Sequence, residues 1–282
     1  MANKIIKYLR CPCCKALMDT ENEGKTLFCK GQKKHCFDFS SKGYVNLAGS
    51  RGVTGDSKQA VRSRTDFLNK GYYAPIADKL CDILGRYMSN GKVLDAGCGE
   101  GYYTQRIAQR GYETVGLDLS KYAVYSTASR LHCKTNENAF AVVASIYDMP
   151  FCDGFADAAV SIFAPCAEEE ISRVISSDGI LLVVSAGKEH LMGLKKALYQ
   201  AAYENEERAD MPKGMKLISR EALKYSIKLE GNADIKNLFS MTPYYWRTSP
   251  SDSEKLDGLC TLETVVDINF LIYKKDNAKE NL

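Results

Sequence analysis

The stretch GKVLDAGCGEGYYTQRIAQRG, residues 91–111, leaves this chain few options. It reads as a strand over Lys92 to Ala96, a glycine-rich turn, and an amphipathic helix that turns Ile107 and Ala108 inward. A strand that passes through such a turn into a helix opens a doubly wound α/β unit. The turn is Asp95-x-Gly97-x-Gly99-Glu100-Gly101, with Tyr102 where the third glycine of a dinucleotide fingerprint would fall, which weakens a pyrophosphate reading. Glycines let backbone press against a ligand with no Cβ in the way, and Asp95 and Glu100 bring carboxylates that can meet an ammonium group. A cationic amino-acid cofactor fits better than a phosphate.

Twenty-three residues after Asp95, the next strand, TVGLDLS, reaches Asp118, placed where a carboxylate accepts both hydroxyls of a ribose. Alone, the glycine turn can merely punctuate a βα corner; joined to an acid at the next strand end it points to S-adenosylmethionine (SAM). Further strands read FAVVAS (140–145), ADAAVSIFA (156–164) and GILLVVSA (179–186), with a last pair of apolar runs near LETVVDINFLIYKK (262–275). That rhythm predicts a Rossmann-like α/β fold of the seven-stranded SAM-dependent methyltransferase kind.

The N-terminal segment asks for something different. CPCC (11–14) holds a CxxC knuckle, Cys11 and Cys14, and FCKGQKKHCFDF (28–39) adds Cys29, His35 and Cys36 after a gap long enough for a short hairpin. Thiolates and imidazole at this spacing suit tetrahedral zinc in a closed structural site. Cys11, Cys14, Cys29 and His35 are the expected ligands; Cys36 competes with His35 for the fourth place, and Cys13 should point away. A lobe of about 45 residues with few large apolar side chains needs such a staple.

Of 282 residues, the first 72 hold fourteen Lys/Arg against six Asp/Glu, a net of +8, while the remainder is at −5. Positive charge concentrated in one segment fits a polyanionic partner. MANKIIKYLR lacks the apolar run of a signal peptide and no stretch nears bilayer length, so a cytoplasmic protein with no membrane association is expected. Between the parts, Arg51, Lys58, Arg62 and Arg64 are placed to touch phosphates, or to form a solvated helix face. Cys166 could act as a nucleophile but reads better as packing. Tyr244, Tyr245, Trp246 and Arg247 offer a platform for an unstacked base, with at least one aromatic serving the core instead. Asp267 is a candidate for orientation or proton acceptance, with a plain strand-end aspartate as the alternative; no catalytic residue is assigned.

By these residues the chain resembles the bacterial ribosomal RNA guanine-N1 methyltransferases that act on large-subunit (23S) RNA. The resemblance is carried by the cysteine–histidine knuckle, HCFDFSSKGYVNL (35–47), GDSKQAVRSRTDFLNKGYYAPI (55–76), LDAGCGEGYYT (94–104), FAPC (163–166), HLMGLK (190–195) and MTPYYWR (241–247), nearly end to end. It implies a zinc-binding RNA-recognition domain over 1–50, a basic linker or helix over 51–72 and a methyltransferase domain over 73–282. The implied reaction is methyl transfer from SAM to N1 of a guanine in one 23S rRNA hairpin. The resemblance also implies that Tyr73, the Gly99–Glu100 pair and His190 contact the cofactor, joining Asp95, Gly97, Gly101 and Asp118. From the residues alone, His190 reads as the start of the helix HLMGLKKALYQAAY and Tyr73 as an aromatic capping the core. The resemblance hints at a link between methylation and sensitivity to macrolide-type antibiotics, and the sequence leaves open whether the chain forms a homodimer. Two rival functions remain: a methyltransferase acting on another RNA or a small molecule, and a non-catalytic zinc RNA-binding protein.

Overall fold

In the computed structural model, which describes residues 4–22, 24–48, 55–207 and 212–276, the N-terminal segment forms three antiparallel strands, β1 (Met18–Glu21), β2 (Thr26–Cys29) and β3 (Cys36–Asp38), and then a two-residue strand, β4 (Val45–Asn46). Two helices follow, α1 (Lys58–Leu68) and α2 (Ala74–Tyr87). The chain then alternates through β5 (Lys92–Ala96), α3 (Tyr102–Ala108), β6 (Glu113–Asp118), α4 (Lys121–Arg130), β7 (Ala139–Val143), β8 (Ala156–Ile162), α5 (Glu168–Val174), β9 (Ile175–Ala186) and α6 (Met192–Leu198). It closes with β10 (Met215–Glu230), α7 (Asn232–Ser240), α8 (Pro250–Glu254) and β11 (Thr261–Lys275).

Local chemistry explains the elements. Every residue of β7, and all of β5 after Lys92, is buried, the continuous apolar run of parallel strands covered on both faces. Ser57 and Ser120 start α1 and α4 by accepting the amides of Ala60 and Ala123 at 3.2 and 3.3 Å, which satisfies donors an open helix end leaves free. In α2 the buried Ile76, Ala77, Leu80, Cys81, Ile83 and Leu84 make one apolar stripe.

One sheet runs β10-β11-β9-β8-β5-β6-β7-β4. It is parallel from β9 to β4, and the β10–β11 hairpin is antiparallel. From β5 the chain turns one way to β6 and β7 and then back past β5 to β8 and β9, so the strand order reverses beside β5. Ligands of open α/β sheets bind at such a reversal, outside the carboxyl ends of the strands. The seven strands of the expected fold are β5 to β11; β4 adds an eighth beside β7.

Two expectations change. The pair of runs near 262–275 is a single strand, β11, and its partner is β10, whose alternation of exposed and half-covered residues at a sheet edge hid it among charged side chains. The helix read from His190 ends at Leu198, because the Lys195 ammonium takes the Tyr203 carbonyl at 3.0 Å and Asn205 Oδ1 at 2.6 Å and draws the chain back. The segment 51–72, expected as a basic linker or helix, holds the packed helix α1, which buries Val61, Phe67 and Leu68; Arg51 lies outside the described residues.

The N-terminal lobe has no core to itself. Ile5, Leu9, Met18 and Leu27 pack in one cluster with Leu94, Val115, Phe140, Phe151, Phe155 and Leu181. Main-chain bonds stitch the same seam, Arg10 N to Pro150 O at 3.0 Å and Cys152 N to Tyr8 O at 2.8 Å. The lobe therefore covers one face of the sheet together with α5, opposite the cluster formed by α1, α2, α3, α6 and α7. Phe151, fully buried and stacked on Phe155 at 4.7 Å, tests the seam. Phe151→Ala should cost about 3–5 kcal/mol, and hydrogen exchange should show strands β2 and β6 losing protection together; loss confined to the lobe would show two independent units.

Candidate active site

Asp95 forms the floor of the site. At the end of β5 it is 1% exposed; Thr104 Oγ1 donates to its Oδ2 at 2.6 Å, and its Oδ1 has no partner. Burial pushes its pKa up to about 7, against the Thr104 hydrogen bond and with Asp118 and Glu100 nearby. The turn that follows uses its glycines differently. Gly97 (φ +86°) approaches the β8 end so closely that a Cβ would sit 2.8 Å from that of Ala164, and Gly99 (φ +54°) lies under the Arg64 guanidinium. Gly101 (φ +86°) faces α4, where a Cβ would come within 2.7 Å of Thr127 Cα, so it shapes the turn rather than the cavity wall.

Asp118 receives the Gly99 amide at 2.9 Å and the Ser120 amide at 2.8 Å; burial raises its pKa and those two amides pull it back. Glu100, also 1% exposed, is held by Arg130 at 2.6 Å and accepts the Tyr102 amide at 3.2 Å. The segment ahead of α1 crosses above: Ser120 Oγ donates to Asp56 O at 2.8 Å, and Asp56 pairs with Arg64 at 2.5 Å. Arg64, read as a phosphate contact, is thus turned into the cavity, whereas Lys58 and Arg62 are exposed.

Tyr73, His190 and Phe163 build the opposite wall. His190 Nδ1 accepts the Asp267 amide at 3.3 Å, and burial together with Lys195 takes its pKa down to about 3. The ring is therefore neutral with its hydrogen on Nε2, 3.4 Å from Tyr73 Oη. Phe163 stacks on His190 at 5.8 Å with 19° between the rings. It is 45% exposed and sits at φ +52°, an unfavourable backbone region for a bulky residue. Asp267 does not line the cavity; its carboxylate accepts the Glu189 amide at 3.0 Å and so fixes the loop that carries His190. Cys166 packs against the lobe-side core and also stays off the cavity wall. Of the aromatic run, Tyr244 is buried and lines the cavity, while Tyr245 and Trp246 are exposed, Trp246 at 79%.

Together these residues enclose a cavity of about 670 Å³ that spans the ends of β5, β6, β8 and β9. Among the described residues, the three buried side-chain polar atoms without a partner, Asp95 Oδ1, Tyr103 Oη and Ser185 Oγ, all belong to its lining. Buried polar groups are nearly always paired, so the concentration of exceptions marks a place built for a polar ligand.

A second cluster lies in the lobe. Donor atoms of Cys11, Cys14, Cys29 and His35 fall within 4.8 Å of one another, with Cys14 Sγ to Cys29 Sγ at 3.7 Å, Cys11 Sγ to His35 Nδ1 at 3.6 Å and Cys29 Sγ to His35 Nδ1 at 3.3 Å. Tetrahedral zinc with Zn–S near 2.3 Å and Zn–N near 2.0–2.1 Å implies edges of about 3.8 and 3.6 Å, so the four could hold zinc with little movement. The His35 amide leads a group of hydrogen bonds that lower the Cys29 thiol to about 6, which favours the ligating thiolate. Cys36 is exposed on β3, outside the cluster.

Fold and cavity define a SAM-dependent methyltransferase, and a family model described as a methyltransferase domain matches residues 94–183. Among curated proteins the chain is 30% identical over 263 residues to the 23S rRNA (guanine(748)-N(1))-methyltransferase of Streptomyces fradiae, covering 89% of this chain and 90% of that one. YxjB of Bacillus subtilis (strain 168), whose name also describes guanine-N1 methylation of 23S rRNA, is 27% identical over 94% of this chain and 96% of its own length. The chain belongs to the 23S rRNA (guanine-N1)-methyltransferase family. No helix among the described residues is long and apolar enough to cross a membrane.

The structure brings Tyr73, Asp95, Gly97, Gly99, Glu100, Asp118 and His190 to one cavity and leaves Gly101 behind it. Sequence reasoning missed Tyr103, Phe163, Ser185 and Asn205, all on its wall. Phe163 stood in view in FAPC, but its backbone angle and the stack on His190 have no sequence signal. Asp95 sets a stability test. Its folded pKa lies above the unfolded value, so the folded state holds the extra proton, and ionisation opposes folding increasingly from about pH 4 to about 7. Asp95→Asn should stabilise the ligand-free protein by about 2–4 kcal/mol at pH 8, with the gain in melting temperature shrinking toward pH 5; a pH-independent difference would refute the assignment.

Proposed function

We propose that the chain methylates N1 of a guanine in a hairpin of 23S rRNA. The observation that carries this reading is end-to-end similarity to an enzyme named for that reaction, 30% over 89% of the chain. SAM, when bound, supplies the electrophilic methyl group. Asp95 Oδ1 takes its ammonium group, Asp118 takes the ribose hydroxyls between the Gly99 and Ser120 amides, and Tyr73 and His190 face it from across the cavity. Gly97 and Gly99 let the backbone approach, Gly101 shapes the turn from behind, and Glu100 acts through Arg130 to hold it.

Guanine N1 lies on the Watson–Crick edge, so the base must leave its stack to be methylated. Phe163, exposed and rigidly backed by His190, offers the face on which the base lies, and Ser185, with its free hydroxyl, a hydrogen bond to the base edge. Trp246 and the basic lobe, with Lys58 and Arg62, extend the surface along the RNA. Zinc held by Cys11, Cys14, Cys29 and His35 has no open coordination position, which makes its role structural.

Radiolabelled SAM with unmodified large-subunit rRNA should place label in 1-methylguanosine at one hairpin position. Binding of SAM with no label in RNA would keep the fold and overturn the substrate. Metal analysis should find one zinc per chain, lost in Cys29→Ser and retained in Cys36→Ser; loss in Cys36→Ser would reassign the fourth ligand.

A further inference from the structure

Among the described residues, two hydroxyl donors on the cavity wall are buried without a partner, Ser185 Oγ and Tyr103 Oη, and Tyr103 is the more deeply buried residue. It sits in the first turn of α3 with 9% exposure and its ring set edge-on to Tyr102 at 5.2 Å. Its hydroxyl meets no acceptor in the protein. Leaving a buried hydroxyl unpaired disfavours the folded chain, so the group calls for a ligand atom to pair with.

The tail of the cofactor is a zwitterion, and the cavity treats its two poles unequally. The lining carries four carboxylates, Asp56, Asp95, Glu100 and Asp118, against one cationic side chain, Arg64, already bound to Asp56 at 2.5 Å and lying over Gly99. His190 is neutral. The ammonium pole thus has an acid waiting in Asp95, while the engagement of Arg64 with Asp56 favours neutral donors as further partners for the carboxylate pole. Tyr103 lies on the same cavity wall as Asp95, in the first turn of the helix that follows the glycine turn, and brings to it a neutral donor that the protein leaves unused. Resting on the SAM reading above, we infer that Tyr103 Oη donates a hydrogen bond to the α-carboxylate of the cofactor's methionine tail. Burial also keeps the phenol protonated, pushing its pKa well above the ordinary value of 10.

The test is calorimetric titration of wild type and Tyr103→Phe with S-adenosylhomocysteine and with 5′-methylthioadenosine, which keeps adenosine and sulfur but has neither amine nor carboxylate. A hydrogen bond to a charged group sets the expected loss at about ten-fold or more for S-adenosylhomocysteine, with 5′-methylthioadenosine changed by less than about two-fold. Because the variant deletes an unpaired hydroxyl, its ligand-free melting temperature should not fall. Unchanged affinity for S-adenosylhomocysteine, equal loss for both ligands, or a lowered melting temperature would overturn the inference and leave Tyr103 a packing residue. Wild-type protein that binds neither ligand would overturn the cofactor reading with it.

Discussion

Thr127 is where the catalytic half is fastened together. Fully buried on α4, it donates its hydroxyl to Gly99 O at 2.9 Å, and its side chain lies 3.6 Å from Cys98 Sγ. Two glycines owe their identity to it: a Cβ at Gly101 would meet Thr127 Cα at 2.7 Å, and one at Gly116, in the middle of β6, would meet its Cγ2 at 2.7 Å. The ligand-facing turn, the strand that delivers Asp118 and the helix behind them therefore close on a single side chain. The turn is shaped from the rear, and a site that is to hold a small zwitterion needs its first wall fixed to within a fraction of an ångström.

What that frame supports is energetically uncomfortable when empty. Asp95 is a buried carboxylate with half of its hydrogen-bonding capacity unused, Glu100 is tolerable only because Arg130 faces it, and Phe163 stays in a left-handed conformation under its own exposed ring. Each opposes folding, and each lies on the same cavity. The apolar clusters on the two faces of the sheet compensate, and one of them reaches the cavity wall through Tyr73, Ile162, Val184 and Tyr244. Strained and unpaired groups persist where the packing around them over-determines their positions, which is how a domain keeps such a pocket without losing its fold.

The sheet was legible in sequence because its central strands are apolar throughout and its glycine turn is followed at the next strand end by an acid; the structure brings Asp95, Gly97, Gly99 and Asp118 to one cavity. The four zinc candidates were legible for a similar reason, since thiols and imidazole converge only if the hairpin between them closes. Edge strand β10 was not, because one solvated face erases the apolar signal. Nor was the short α6, ended by a buried lysine's grip on a segment ten residues on. Tyr103 and Ser185 were invisible for a deeper reason: a tyrosine or serine in a helix or strand reads as ordinary, and only the absence of partners around it in three dimensions makes it informative.

The lobe's last contribution to the sheet is small in extent. β4 spans two residues beside β7, and Leu47 N adds one further bond to Val143 O at 2.8 Å. Without it, β7 would be an outer strand of wholly apolar residues with its amides and carbonyls bare, the pattern that recruits a strand from another copy and seeds aggregates. The N-terminal segment thus covers that edge of the sheet. Any relative that shed the lobe would have to bury, charge or kink its β7 edge by some other means.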